Sequence, residues 1–340
     1  MSGTTELAVT SNVESILSDA RSLIQPTQRA ALDTLPTEIR HVAGFHLGWW
    51  DTTGRAAAGG GGKSIRPALT LACARAAGGA AAAAVTAAVA VELVHDFSLM
   101  HDDIMDGDAT RRHRPTAWAA FGVPRALLTG DALLALALNL VSAGIPGAAL
   151  RTLILELCAG QSDDLTFESR VDVALPESSR MVEQKTGALF GVACQLGALS
   201  AGVEAHIADL YRQFGRHLGI AFQMIDDILG IWGSESVTGK PIYSDLRSRK
   251  KSVPVVAAMS ANTAAARELA ELYRRSAALD DSELAHAAEL IEAAGGRVWA
   301  ETEADRHRVA ALDALAAAAP TQDGLAQLHA LTELVTSRVS

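Results

Sequence analysis

Glu92-Leu-Val-His95-Asp96-Phe97-Ser98-Leu-Met-His101-Asp102-Asp103-Ile-Met-Asp106 is an apolar run that turns acidic at its end. Asp102 and Asp106 are four apart, so on a helix their carboxylates stack on one face, with Asp103 flanking. Like charges so placed destabilise a bare helix, and at a helix C-terminus the macrodipole adds to the penalty. Something positive must compensate. A second acidic pair stands in Phe222-Gln223-Met-Ile-Asp226-Asp227-Ile-Leu-Gly230, inside another apolar, helix-compatible run that ends at Trp232-Gly233. Two such clusters point to a hard cation, since Mg²⁺ takes oxygen ligands and shares them with phosphate. A solvated helix end explains either cluster alone, but not both together with the basic loops described below.

Outward from these segments, apolar residues recur at helical spacing over nearly the whole chain. Turn clusters interrupt them at Gly59 to Gly62, Gly107 to Pro115, Gly144 to Pro146, Val171 to Pro176 and Ser234 to Ser244. No stretch alternates as a strand does, and no linker is long enough to separate two cores. The expectation is an all-α, single-domain fold of ten or more helices over residues 11–340, with Ser11 or Asn12 capping the first helix and residues 1–10 forming a flexible tail. Composition agrees: 49% of the 340 residues are hydrophobic and only 4% aromatic, an Ala- and Leu-rich set that favours helices. A net charge of -10 argues against nucleic acid as a partner. Cys73, Cys158 and Cys194 lie far apart and read as core thiols. The first residues lack the pattern of a secretory signal, and the alanine run from Ala80 meets Glu92, His95 and Asp96 before reaching membrane-spanning length, so a cytoplasmic protein is expected.

The basic partners fall in loops. Gly61-Gly62-Lys63-Ser64-Ile65-Arg66-Pro67 sets a Lys and an Arg beside glycines that let the chain close on an anion. A nucleotide P-loop would need glycine at position 57, where Ala57 stands, and no strand precedes the segment. Arg111-Arg112 follows Asp106, Lys185-Thr186 lies mid-chain, and Lys240, Lys250 and Lys251 follow the second acidic pair. In an acidic chain this placement suggests phosphate capture, although each residue taken singly reads as surface charge. His95 and Phe222 taken alone read as core residues.

From about Gly61 to Arg308 the order of these motifs resembles the trans-isoprenyl diphosphate synthases of the polyprenyl synthetase family. The resemblance rests on Gly62-Lys63-Ser-Ile-Arg66-Pro, Asp102-Asp103-Ile-Met-Asp106, Arg111-Arg112, Gly160-Gln161-Ser-Asp-Asp164, Lys185-Thr186-Gly187, Phe222-Gln223-Met-Ile-Asp226-Asp227, and Gly239-Lys240 through Asp245 to Lys250. The stretch Asp226 to Pro254 is similar in texture to actinobacterial geranylgeranyl diphosphate synthases. The chain departs from the pattern at Gly230, where the family often has a final acid, and at Ser64, where a basic residue is common.

The resemblance implies helices around a deep central cavity, a homodimer, and three Mg²⁺ ions held by Asp102, Asp103, Asp106, Asp226 and Asp227. It implies that Lys185, Lys250 and Arg111, with Lys240, bind an allylic diphosphate (dimethylallyl, geranyl or farnesyl). Lys63, Arg66, His95 and Arg112 would then hold isopentenyl diphosphate, Thr186 and Gln223 would stabilise the reacting cation beside Phe222, and Gln161 and Asp164 would stand behind them, orienting a lysine or water. No protein base is required if the leaving pyrophosphate takes the proton. Helix geometry puts Ser98 and Val91 near the Asp102 direction, one and three turns deeper, while Phe97 points aside. Farnesyl-length members usually have aromatic residues at both positions four and five before the first motif, and here only Phe97 is aromatic. The expected product is therefore geranylgeranyl diphosphate. Farnesyl or longer products, a class I terpene cyclase, and a non-catalytic subunit of a heteromeric prenyltransferase are the competing readings.

Overall fold

The structure, a computed structural model, describes residues 2–57, 62–170, 172–235, 241–275 and 277–336, with side chains from Val13 onward. It is all-α, as the periodicity predicts. The helices are α1 (Ser2–Leu32), α2 (Thr37–His46), α3 (Ile65–Ala76), α4 (Val85–Met105), α5 (Ala117–Phe121), α6 (Val123–Leu140), α7 (Gly144–Ser169) and α8 (Leu175–Val182). A π-helical turn at Glu183–Gly187 leads into α9 (Ala188–Ser200) and α10 (Ala205–Trp232). After these come α11 (Ser244–Arg247), α12 (Val253–Ser260), α13 (Ala264–Arg274), α14 (Asp281–Ala293), α15 (Gly296–Ala317) and α16 (Gln322–Thr336). Helix α1 runs through Ser11 and Asn12, so neither caps it; no proline from Ser2 to Gln25 stops the helix.

Contacts group the helices into two compact units, each assembled from three stretches of chain. The first comprises residues up to Leu155, Leu189–Gly215 and Ala314–Leu331. Its centre is α4, which packs on α6, α3 and α1. Ala87 to Val94 are buried without interruption, Glu92 included, because a central helix is covered all round. Together with the 3₁₀ turn before it, this helix spans 25 residues and is apolar enough to cross a membrane, longer than the sequence reading allowed, but more than half of its most apolar window is buried inside the protein.

The second unit comprises Glu156–Ala188, Arg216–Asp313 and the chain from Thr332 onward. Helix α10 contributes to both of its apolar clusters. Ile225 and Ile228 join Phe167, Met181, Val253 and Val256, while Ile231 joins Leu246, Val255, Leu269, Leu284 and Ile291. Local chemistry sets the helix starts here. Asp280 caps α14 in a reciprocal box with Glu283, at 2.9 and 3.0 Å, and Thr263 accepts from the Ala266 N–H at the start of α13.

Two further expectations change. A two-residue antiparallel ribbon, Thr110–Arg111 with Arg114–Pro115, interrupts the helices. Its turn residues Arg112 and His113 have φ of 52° and 59°, the doubly left-handed turn that suits a tight hairpin, and strands this short carry no alternation to read. Cys73 and Cys194 are buried, but Cys158 lies on the exposed side of α7 and is no core thiol.

Leu133, fully buried on α6, should cost about 2–5 kcal/mol when cut to alanine, because the lost transfer energy and the cavity add. Val298 on α15, 62% exposed, should cost under about 0.5 kcal/mol. Urea denaturation of Leu133→Ala and Val298→Ala at one protein concentration measures the contrast.

Candidate active site

In the first unit, the end of α4 sorts its three carboxylates. Asp102 is half-buried and Asp106 exposed, whereas Asp103 is only 1% exposed. Arg111, carried on the short ribbon, donates from Nε to Asp103 Oδ1 at 2.6 Å. This is the positive charge that the stacked acids demanded. Asp103, expected among the metal ligands, thus meets a protein cation through one oxygen, and Arg111 spends part of its guanidinium on it. Next to it, Arg112 lies against Gly62; a Cβ there would stand 2.9 Å from its Nη1. The Gly62 carbonyl accepts from Arg21 Nη2 of α1 at 3.0 Å, a residue that no motif singled out.

Arg66 on α3 donates to His95 Nε2 at 3.1 Å and stacks over Phe190 at 4.8 Å. A guanidinium only donates, so His95 is neutral there with its proton on Nδ1. Burial, with Arg66 and Arg112 close by, holds its pKa well below the ordinary value. His95 therefore steers Arg66 instead of adding charge. Burial also lowers Arg66, to about 10. Beneath these cations lie two acids given no role by the sequence. Asp96 meets His46 of α2 at 3.5 Å, and Glu92 is pushed up to about 8 by burial and by Asp96, against the pull of Arg66, Arg112 and Arg21. Two charged residues at i and i+4 in an otherwise buried helix segment were the available signal. Lys63 is exposed, and Ser64 is buried with left-handed backbone at φ 53°.

The residues expected to set product length follow α4 deeper. Ser98 donates its hydroxyl to the His95 carbonyl at 2.8 Å, Phe97 packs edge-on against His101 at 4.8 Å, and Val91 is fully buried.

In the second unit, the π-helical turn presents Lys185 and Thr186. Gly160 on α7 permits this, since a Cβ there would stand 2.7 Å from the Lys185 amide nitrogen. One turn further along α7, Asp164 accepts from Lys185 Nζ at 2.6 Å, the lysine-orienting role expected of it. A hydrogen-bond chain runs on from Thr186, whose hydroxyl donates to Gln223 Oε1 at 2.8 Å, while Gln223 Nε2 donates to Asp227 Oδ1 at 2.9 Å. Asp227 can only accept, so it fixes which way the Gln223 amide points, and Thr186 keeps its oxygen lone pairs as acceptors. The second Asp227 oxygen accepts from the Val253 N–H at 2.9 Å, and Lys250 approaches at 3.6 Å. Asp227 is 2% exposed and fully engaged within the protein; Asp226, its neighbour, is exposed. Asp227, expected among the metal ligands, is held by the Gln223 amide and the Val253 N–H, as Asp103 is held by Arg111.

Burial lowers and Asp227 and Asp245 raise the Lys250 pKa, with a net rise well above the ordinary lysine value. Lys251 turns inward, over the Tyr273 ring at 5.2 Å, away from phosphate duty. Phe222 is half-buried on α10. Lys240 lies outside the described residues.

Fold and side chains together define an all-helical enzyme with paired acidic motifs and two sets of basic residues, the equipment of a prenyl-diphosphate-processing catalyst. Residues 49–291 match the Polyprenyl synthetase family model, and the chain belongs to that family. It is a trans-prenyltransferase of the short-chain isoprenyl diphosphate synthase type. It is 46% identical over 332 residues to a (2E,6E)-farnesyl diphosphate synthase of Mycobacterium tuberculosis, covering 95% of this chain and 92% of that one. A geranylgeranyl diphosphate synthase of the same species is 43% identical over 96% and 94% of the two chains. Among solved structures, a polyprenyl synthetase from Streptomyces coelicolor A3(2) superposes with a TM-score of 0.90 at 42% identity, covering 95% and 99% of the two chains. A geranylgeranyl pyrophosphate synthase from Corynebacterium glutamicum, complexed with isoprenyl diphosphate and magnesium, gives 0.77 at 26% identity over 96% and 98%.

Glu92 yields a pH test. In the fold it keeps its proton to about pH 8, whereas an unfolded glutamate releases it near 4.5, so its burial costs stability as pH rises between those values. Glu92→Gln should raise the thermal midpoint relative to wild type by more at pH 9 than at pH 5, measured by circular dichroism melts.

Proposed function

We propose that the chain joins isopentenyl diphosphate head to tail to an allylic diphosphate with the help of Mg²⁺, and that its main product is geranylgeranyl diphosphate. The observation that carries the length is Ser98, small and half-buried one turn before Asp102, with its hydroxyl bent back onto the His95 carbonyl. A chain growing along α4 meets no aromatic ring there, and Phe97 is occupied with His101. Farnesyl diphosphate is the second reading, favoured by the 46% identical relatives that bear that name.

The donor chemistry suits Mg²⁺. Asp102, Asp106 and Asp226 are the carboxylates with solvent access, and all are hard oxygen donors. Gln161 is 8% exposed, with both amide atoms unpartnered within the protein, which leaves polar capacity for a ligand or its water. When bound, three Mg²⁺ would neutralise the charge that develops on the leaving diphosphate.

The chain's own residues do the rest. Lys185 and Lys250, with Arg111 and Lys240, attract the allylic diphosphate, and Lys63, Arg66 and Arg112 attract isopentenyl diphosphate, with neutral His95 aiming Arg66. The allylic C–O bond breaks, the isopentenyl double bond attacks the resulting cation, and the proton lost from the new bond goes to the departing diphosphate. Thr186 and Gln223, held by Asp227, turn oxygen dipoles to the cation, while Phe222 lines the site. A second copy of the chain would cover Leu127 and Leu128 on α6, the latter 59% exposed, and Leu155 on α7, 72% exposed.

The purified chain with Mg²⁺, labelled isopentenyl diphosphate and each allylic primer should give mainly a C20 diphosphate, and chelation should abolish turnover. Ser98→Phe should shift the product to C15. A wild-type product that stops at C15 favours the second reading, and a hydrocarbon from geranylgeranyl diphosphate alone would indicate a cyclase. Leu128→Asp should halve the mass seen by light scattering if α6 pairs the copies.

A further inference from the structure

Helix α1 precedes residue 49, where the family match begins, and carries none of the acidic or basic motifs. One of its side chains nevertheless reaches the basic cluster of the first unit. Val13, Ile16, Ala20 and Ile24, buried at helical spacing, seat α1, which packs on α3 and α4. Arg21 stands at the margin of that buried face, next to Ala20 and three residues before Ile24. Its backbone is anchored while its side chain stays exposed.

That guanidinium has a specific target. Arg21 Nη2 donates to the Gly62 carbonyl at 3.0 Å, across 41 positions of sequence. The other side of Gly62 belongs to Arg112, since a Cβ at residue 62 would stand 2.9 and 3.0 Å from the two terminal nitrogens of Arg112 and 3.3 Å from its Cζ. Residue 62 is therefore pinched between two guanidiniums, one on its carbonyl and one over its α-carbon. From there the chain passes through Lys63 and Ser64, buried with left-handed backbone, into the first turn of α3 with Arg66. Arg21, Arg66 and Arg112 all draw the Glu92 pKa down, so the three converge above one buried acid of α4.

A carbonyl oxygen left uncommitted among cations competes with phosphate oxygens for their N–H groups. Arg21 commits this one. We infer that Arg21 is a positioning residue of the isopentenyl diphosphate site: by holding the Gly62 carbonyl it fixes the piece of chain against which the Arg112 guanidinium rests, so that Arg112 meets the diphosphate already oriented. This inference rests on the assignment of Lys63, Arg66 and Arg112 to isopentenyl diphosphate proposed above.

Steady-state kinetics of the full chain, with each diphosphate varied at saturating levels of the other, test it. Arg21→Met keeps the stem and removes the donors; it should raise the KM for isopentenyl diphosphate about fivefold, while the allylic KM and kcat change less than about twofold. In an Arg112→Ala background the same substitution should add less than about twofold, because the group that Arg21 positions is gone. An Arg21→Met chain with wild-type circular dichroism and an unchanged isopentenyl KM would overturn the inference. Equal rises in both KM values would also overturn it, as would effects that multiply in the double variant, which mean that Arg21 acts on the anion through its own charge. Arg112→Ala with a wild-type isopentenyl KM would instead overturn the assignment of the site, and the inference with it.

Discussion

Asp227 is the carboxylate on which the catalytic wall of the second unit depends. Both of its oxygens are committed, one to the Gln223 amide and one to the Val253 N–H, with Lys250 alongside. It therefore fastens α10 to the start of α12, sets the direction of the Gln223 amide, and through that amide spends the hydroxyl proton of Thr186. Burying a charge at 2% exposure is tolerable because each oxygen accepts a hydrogen bond and an ammonium group stands beside them. Removing one partner of such a group typically costs about 3–5 kcal/mol, so the arrangement is either complete or absent.

The first unit solves the same problem with Asp103 and Arg111. A helix whose middle is apolar all round must shed its charge at an end, and α4 does so where the macrodipole is least favourable to acids. Arg111 compensates the inner acid, which leaves Asp102 and Asp106 facing outward on one face. The hairpin that carries Arg111 also delivers Arg112 to Gly62, so one left-handed turn serves two sites. Both motifs thus divide alike: the second aspartate of each pair is buried against protein donors, and its motif neighbours are more exposed.

Much of this was legible beforehand. Helical periodicity pointed to an all-α fold, and the order of the acidic and basic motifs resembled the family to which the chain belongs. Asp164 was read as a partner for a lysine, and Lys185 is that lysine. What escaped notice were Arg21 on the Gly62 carbonyl and His46 on Asp96, which belong to no motif, and the seat that Asp245 takes against Gly230. Their partners lie 41, 50 and 15 positions away in sequence, and spacing rules reach only three or four residues along a helix.

The sequence by itself determined the fold class, the family, and which residue types face which, because periodicity and motif order are properties of a single strand of text. It could not rank the two aspartates of a pair, since adjacent residues on a helix point about 100° apart and only the packing decides which direction is interior. Packing set Asp103 against Arg111 and Asp227 against Gln223 and the Val253 N–H, drove His95 neutral and Glu92 toward protonation, and turned Lys251 inward to Tyr273. Those outcomes depend on the dielectric and the partners that the assembled helices create around each group, and such surroundings exist only in three dimensions.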